Sequence, residues 1–489
     1  MSRVLSIDIG TTHCKAGLFA VDGSAVKTAV RQTNYDPVEM WKQIVSMIVE
    51  LTRDGGEDIA AVGISSMAET GLLLDRKTGQ ARTGFLPWFD DRATEECDDI
   101  ERRIDPYEQF MKSGLRPSRK YGLAKLLWIA RHQSRLWLDE CVWLSAADYA
   151  AYRLTGAFAT DYTLASRTYA FRIDTKQWDR ELLKVFDLNP ALFPDVHPSG
   201  RRIADGAETL DELPFLRGVP VAVCGHDHVC AALAAGAVEP GIVFDSVGTA
   251  ETLVGTMKEK KLDEKAFHSG LSFGLHVIGD AYFWMGGLPA SGGSIEWLRR
   301  EIASGETLTY ERILQKLSKT DAAPTGILYF PYLSGSGAPR PDQHVKAAFV
   351  GFANHHTGNE LLKAIFEGTC YEMEAIRRCA AALTDSPIET LVAVGGGTNN
   401  PHWMQMKADV SHCTFLIPEM GEATLFGAAI AAGMGCGIYE SYEEARSMFT
   451  KKMMEFTPDE ERHEAYRNVY ENGYMRLQDP LRQYFSNWS

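Results

Sequence analysis

The first thirty residues alternate between short β-prone runs and turn signals. Residues 4–9, 14–20 and 25–30 are rich in β-branched and small apolar side chains, and Gly10-Thr11-Thr12 and Val21-Asp22-Gly23-Ser24 separate them. Such runs between turn residues predict three consecutive strands. Asp36-Pro37 then offers a cap followed by proline at the first helical position, and Met40, Trp41, Ile44, Met47, Ile48 and Leu51 recur at helical spacing. Residues 59–65 read as a buried strand, and strands alternating with amphipathic helices predict an α/β layered domain with partly parallel pairing.

The same pattern restarts midway. Gly241-Ile242-Val243-Phe244-Asp245-Ser246-Val247-Gly248-Thr249 restates Val4-Leu5-Ser6-Ile7-Asp8-Ile9-Gly10-Thr11: a β-branched run, an aspartate, then Gly-Thr. Thr357 and Glu360 form a capping-box signature before a helix carrying Leu361, Ala364, Ile365, Tyr371, Ala375 and Ile376. Leu391-Val392-Ala393-Val394 predicts a strand ending at Gly395-Gly396-Gly397, and residues 423–432 predict a helix stopped at Gly433. No low-complexity linker parts the halves, so two duplicated units are expected to face each other over a cleft.

Composition changes this picture in few respects. The 489 residues suffice for two or three domains, and 50 Lys+Arg against 65 Asp+Glu give a net charge of −15, which disfavours a nucleic-acid partner held by general electrostatics. No apolar stretch approaches the roughly 20 residues of a membrane span, and no secretory leader is expected. Nine scattered cysteines without a Cys-x-x-Cys pair fit a reducing compartment, and the expectation is cytoplasmic.

Three segments carry candidate chemistry. Asp8-Ile9-Gly10-Thr11-Thr12 puts a carboxylate at a strand end, with a glycine and two hydroxyls at the tip, the means to hold a hydrated Mg²⁺ and phosphate oxygens; the alternative is an ordinary hairpin. In Cys224-Gly225-His226-Asp227-His228-Val229-Cys230, an extended chain would keep the two cysteines roughly 20 Å apart, which argues against one zinc ion. Asp227 is then a catalytic base at a strand-to-helix junction, or a helix cap, or both. Gly395-Gly396-Gly397-Thr398-Asn399-Asn400 lets a flat ring lie against backbone. No P-loop or dinucleotide fingerprint competes, and Gly433-Met434-Gly435-Cys436-Gly437 reads as a helix C-cap.

From Val4 to about Tyr439 the chain resembles the FGGY carbohydrate kinases, members of the actin and hexokinase superfamily. The resemblance rests on Ala347-Ala348-Phe349-Val350-Gly351-Phe352, Glu360-Leu361 and Ala364-Ile365-Phe366-Glu367, and on Trp88-Phe89-Asp90-Asp91-Arg92 and Lys125-Leu126-Leu127-Trp128. Tyr152-Arg153-Leu154-Thr155-Gly156, Asp161-Tyr162-Thr163-Leu164-Ala165-Ser166-Arg167-Thr168 and Pro331-Tyr332-Leu333-Ser334-Gly335 extend it. Phe352 replaces a smaller aliphatic residue, and Gly122 stands where Pro, Ser or Thr is usual.

The resemblance implies two duplicated ribonuclease H-like (actin-like ATPase) domains flanking a central cleft, drawn here as residues 1–243 and 244–489. It implies ATP-dependent phosphorylation of a sugar or polyol hydroxyl, with ATP and Mg²⁺ bound and a homodimer as a possible oligomer. Asp227 matches the general base and, with Asp8, the metal position. Gly10, Thr11, Thr12, Gly248 and Thr249 match the phosphate turns, and Gly396, Gly397, Thr398 and Asn400 the adenine-side loop. The acceptor side includes Glu69, Trp88 and Lys120. Met67-Ala68-Glu69 matches neither the Gln-Met-His of xylulose kinases nor the Gln-Arg-Glu of glycerol kinases. Lys120 reads as a solvated surface lysine, or as the partner of an acidic sugar such as gluconate. A ketose or polyol is the expected acceptor, and an aldonate the alternative. Two other classes stand beside the kinase: a non-catalytic nucleotide-binding regulator on the same fold, and a metal-dependent hydrolase using Cys224, His226, His228 and Cys230.

Overall fold

The structure, a computed structural model, describes residues 2–53, 58–133, 140–260, 262–302, 308–449 and 452–487. The opening strand Arg3–Ile9 pairs antiparallel with His13–Ala20, which pairs antiparallel with Ala25–Gln32. On its other edge Arg3–Ile9 runs parallel to Ile59–Ser66, then comes Pro220–His226, also parallel, and Arg202–Asp205 closes the sheet antiparallel. Each predicted strand of this sheet lies within two residues of its observed bounds. The helix Pro37–Thr52 is capped by Asp36, whose side chain accepts the Val38 and Glu39 N–H groups at 3.0 Å. Its stripe Met40, Trp41, Ile44, Met47, Ile48 and Leu51 is buried against this sheet.

The second sheet repeats the plan. Ile242–Val247 takes the central place, antiparallel to Glu251–Met257 and parallel to Thr390–Val394. Tyr282–Leu288 and Ser272–Leu275 extend one side, Thr414–Pro418 and Met453–Phe456 the other. The duplication read from the two Asp…Gly-Thr segments is therefore a duplication of topology. Every partner of Ile242–Val247 belongs to the second sheet, and the helix Asp227–Ala235 and this strand are joined by residues 236–241.

The two lobes exchange helices. Asp227–Ala235, which continues the first sheet's strand Pro220–His226, packs on Ile242–Val247 and Glu251–Met257; Ala423–Gly435 from the second lobe packs on the first sheet. These two helices lie side by side in a core that also holds Val4, Phe19, Ala61 and Ala222 from one sheet and Phe244, Val254 and Val392 from the other. Their contact is backbone to backbone. A Cβ on Gly427 would stand 1.8 Å from the Cys230 carbonyl oxygen, and one on Gly63 would stand 2.5 Å from the Ala428 carbonyl oxygen. The helix runs through Gly433, where a stop is expected, to Gly435.

Behind the second sheet lies the 27-residue helix Gly358–Thr384, opened by the Thr357/Glu360 capping box. Its buried Glu372 accepts hydrogen bonds from Tyr474 (2.6 Å) and Gln478 (3.1 Å), and Glu367 accepts one from Tyr466 (3.3 Å). These carboxylates anchor the C-terminal helices. Among the described residues no helix is long and apolar enough to cross a membrane.

Candidate active site

The first sheet aims two carboxylates into the cleft. Asp8 sits one residue before the end of Arg3–Ile9; its Oδ1 accepts the Ser65 hydroxyl at 3.2 Å, and its Oδ2 faces the Gly10 turn, 3.8 Å from the place a Cβ on Gly10 would take. Burial, reinforced by the charge of Asp227, raises its pKa well above the usual carboxylate range, and Lys15 and Ser65 oppose the rise. Asp227 is raised too, first by burial and then by Glu69. The charge of Asp227 acts on Asp8, and Lys15 acts on both, so the three share one electrostatic environment.

Asp227 is the first residue of the helix Asp227–Ala235, whose N-cap is His226 and lacks a side-chain cap bond; a capping role for Asp227 itself is not observed. Its Oδ1 accepts the His228 N–H at 2.7 Å and lies 3.2 Å from His226 Nε2. Burial drives the His226 pKa well down, and its ring stands beside the Asp227 carboxylate. Neither contact uses Oδ2. The carboxylate thus has one oxygen locked and one left for a proton, with a raised affinity for it, the arrangement of a general base.

Glu69 occupies the adjacent wall in a left-handed backbone conformation, φ 60°. Its Oε1 accepts Arg167 Nε at 2.8 Å and Arg167 Nη2, and lies 3.5 Å from Lys120 Nζ. These cations hold the Glu69 carboxyl far below its usual range against its burial. Lys120, its side chain 37% exposed, is thus an ion-pair partner of Glu69. Trp88, 42% exposed, donates its indole N–H to Thr11 Oγ1 at 2.8 Å, joining the acceptor wall to the phosphate turn. Thr12 is exposed at the tip of that turn, and Gly10 N–H closes it on the His13 carbonyl at 3.1 Å.

Sequence reasoning left Lys125 without a role. It is fully buried, and its Nζ donates to the carbonyls of Glu69 (2.8 Å), Leu86 (3.1 Å) and Pro87 (2.8 Å), under both segments that carry acceptor-side residues. Burial pushes its pKa down to about 7 against the pull of Glu69 and Asp90. A lysine at helical spacing among Leu123, Leu126 and Ile129 is the available signal, since a charge on an apolar face needs a partner.

The second lobe supplies neutral turns. Gly248 and Thr249 are exposed, and their carbonyls accept the N–H groups of Gly292 (3.1 Å) and Gly293 (2.9 Å). Gly395–Gly397 leans on the same strand end: with φ 102° at Gly395, a Cβ there would stand 2.6 Å from the Val247 carbonyl, and one on Gly397 2.4 Å from Val247 Cγ1. Gly396 faces open space. Thr398 Oγ1 donates to the Gly395 carbonyl at 2.8 Å. Asn400 caps the helix Pro401–Ser411, accepting the His402 and Trp403 N–H groups, so its side chain is already engaged. Asp245, the counterpart of Asp8, is completely buried and paired with Lys407 at 3.2 Å, and Lys407 also donates to Glu251. The Gly292-Gly293 pair went unread in the sequence, although its place at the start of the helix Gly292–Trp297 is a signal.

Cys224 and Cys230 turn their thiols to the carbonyls of Ala428 and Cys224, each at 3.2 Å, and no group of three or more His, Cys, Asp or Glu among the described residues could hold a metal ion. The zinc hydrolase reading is thereby excluded for those residues.

Two buried carboxylates beside a glycine-hydroxyl turn on one lobe, a second glycine-hydroxyl turn on the other, and duplicated sheets are the features of a two-lobed phosphotransferase fold. Residues 3–234 match the N-terminal domain and residues 244–436 the C-terminal domain of the FGGY family of carbohydrate kinases, and the chain belongs to that family. It is 26% identical to xylulose kinase of Bacillus subtilis, over 98% of either chain, and 29% identical to glycerol kinase of Desulfitobacterium hafniense, over 95% of this chain and 97% of that one. The crystal structure of gluconate kinase from Lactobacillus acidophilus superimposes with a TM-score of 0.91 over the whole of both chains at 19% identity. The protein is an ATP-dependent carbohydrate kinase, and the reading as a non-catalytic regulator falls away.

Proposed function

We propose that the acceptor is an uncharged open-chain ketose or polyol, xylulose and glycerol being the substrates named for the relatives. The observation that carries this is the charge pairing of the wall. Arg167 and Lys120 are paired with Glu69, Lys15 is paired with Glu422 at 2.6 Å, and Lys125 is surrounded by carbonyls. Glu69 Oε2 and Asp227 Oδ2 remain as acceptors of hydrogen bonds, which suits hydroxyl groups and repels a carboxylate. In this reading Asp227 takes the proton of the attacking hydroxyl as its oxygen bonds the γ-phosphorus, and the bond to the ADP oxygen breaks. Glu69 orients the chain of hydroxyls, Trp88 covers an apolar face, and the N–H groups of the Gly10 and Gly248 turns meet phosphate oxygens.

Asp8 and Asp227 fit a Mg²⁺ ion: both are buried acids whose charged forms are disfavoured alone and would be stabilised by a divalent cation, and two carboxylates with phosphates and water satisfy its usual shell. When bound, the ion would neutralise phosphate charge.

One observation favours an aldonate instead. Lys120, partly exposed and 3.5 Å from Glu69, is the loosest pair of the wall and could turn to a substrate carboxylate. ADP release measured across ketopentoses, tetruloses, polyols and aldonates decides between them. The expected result is kcat/KM at least tenfold higher for a neutral acceptor; an aldonate as the best substrate would overturn the proposal.

A further inference from the structure

The five-residue helix Tyr162–Ser166 and the residue that follows it reach both acidic groups of the acceptor site. At its start, Asp161 is fully buried and accepts the N–H and hydroxyl of Thr163 (2.9 and 2.7 Å), the Leu164 N–H (3.0 Å) and the Ser199 hydroxyl. Thr163 Oγ1, so oriented, accepts the backbone N–H of His226 at 2.8 Å. His226 immediately precedes Asp227. The strand that delivers it shifts register against Ile59–Ser66 between Val223 and Gly225, an irregularity of the kind that re-aims the next residues of a strand. Gly225 (φ +111°) lies so close that a Cβ there would meet Thr163 Oγ1 at 2.2 Å and Asp161 Oδ2 at 2.7 Å. The junction carrying the base is therefore seated on the Asp161-Thr163 pair.

At the helix's end, Arg167 is 4% exposed and uses its whole fork. Nε and Nη2 hold Glu69 Oε1, while Nη1 donates at 3.1 Å to Ser272 Oγ on the edge strand Ser272–Leu275 of the other lobe. The edge strand is itself docked to the first lobe where Phe273 N–H donates to the Gly114 carbonyl at 3.0 Å. Glu69 thus has its position set relative to both lobes.

We propose that the helix Tyr162–Ser166 is the positioning element of the active site, aiming Asp227 through the Thr163 hydroxyl and registering Glu69 against the second lobe through Arg167. The two ends have separable consequences. Loss of the Thr163 hydroxyl strands a buried N–H beside the base and lets its carboxylate drift, which acts on the chemical step. Loss of the Arg167 fork frees Glu69, which acts on acceptor binding. A lysine there cannot reach Glu69 and Ser272 together with the same planar geometry.

This inference rests on Asp227 as base and Glu69 as acceptor ligand, so Asp227→Asn is assayed alongside. Steady-state kinetics with the best acceptor of the panel are expected to show Thr163→Val lowering kcat about 10- to 100-fold with acceptor KM within about twofold. Thr163→Ser is expected to restore kcat to within about threefold, and Arg167→Lys to raise acceptor KM about tenfold while ATP KM stays unchanged. Wild-type kcat in Thr163→Val, equal losses in the Val and Ser variants, or an unchanged acceptor KM in Arg167→Lys would overturn it. Should Thr163→Val not fold, Thr163→Cys gives the same comparison with Thr163→Ser, because a thiol keeps the volume and is a weak donor and acceptor. If Asp227→Asn keeps normal turnover, the base assignment itself fails; if it is inactive while Thr163→Val is normal, only the positioning role is lost.

Discussion

Replacing Gly427 by alanine tests how the two lobes are held. The added Cβ would stand 1.8 Å from the Cys230 carbonyl oxygen, 2.4 Å from its carbon and 3.0 Å from the Cα. All three are backbone atoms, so no side chain can turn aside. Ordinary contact requires roughly 3.5 Å, so Ala423–Gly435 must retreat from Asp227–Ala235 by about 1.5 Å. Overpacking of this kind costs about 1–3 kcal/mol, and the absence of a compliant neighbour places the expectation at about 3. For lobes of this size that corresponds to a Tm lower by about 6–12 °C. The shifted helix packs on the first sheet and on Asp227–Ala235, which in turn packs on Ile242–Val247, so the Gly248 turn also moves relative to Asp227. A misplacement near 1 Å can reduce kcat by about a hundredfold. Differential scanning fluorimetry and coupled ADP release measure the two effects. A variant within 2 °C and twofold of the parent would refute the claim that this backbone contact sets the lobe geometry.

Three other substitutions have equally definite expected outcomes. Lys125→Met removes a donor from three carbonyls; Leu86 and Pro87 keep the N–H groups of Gly71 and Asp90, but among the described residues no backbone N–H donates to the Glu69 carbonyl. A loss of about 2–3 kcal/mol and a raised acceptor KM are expected from thermal melts and kinetics; unchanged values would show the ammonium to be dispensable. Gly396→Ala meets no atom within 4 Å, so the fold should melt as the parent does while ATP KM rises severalfold; an unaffected KM would remove this loop from the nucleotide site. Burial pushes the Asp148 carboxyl up to about 7, from an ordinary value of about 4. Between those values the folded chain binds more protons than the unfolded one, so this group makes stability fall as pH rises from about 4 to 7. The Tm advantage of Asp148→Asn over the parent should therefore grow from pH 5 to pH 8, and a constant difference would contradict the assignment.

Much of this was legible in local pattern. The strands Arg3–Ile9 and Ile242–Val247 are β-branched runs ending at turn residues, and their repetition is the repetition of the sheet. Asp8 and Asp227 stood out as carboxylates at strand ends, beside a glycine turn and at a strand-to-helix junction, whereas Glu69 was reached only through the family resemblance. What escaped depends on contacts between distant residues. Arg167 and Ser272 are 105 positions apart. Lys120 looks like a surface residue until Glu69 is folded against it, and the engagement of Asn400 as a cap competes with any ligand role in a way spacing alone does not reveal. The C-terminal helices that Glu367 and Glu372 anchor lie beyond the region where the resemblance could guide the reading.

Asp8 and Asp245 hold matching places in the two sheets, yet Lys407 reaches only the second. With Glu251 it forms a closed, fully buried trio in which Ser291 occupies the remaining carboxylate oxygen of Glu251 at 2.6 Å. One lysine thereby breaks an internal symmetry. The first lobe keeps Asp8 beside the Gly10 turn, whereas the second buries Asp245 against Lys407. A duplicated scaffold would by itself treat its two halves alike; in the proposed reading, this exchange of an open charge for a sealed one is what separates a phosphate-donor side from an acceptor side.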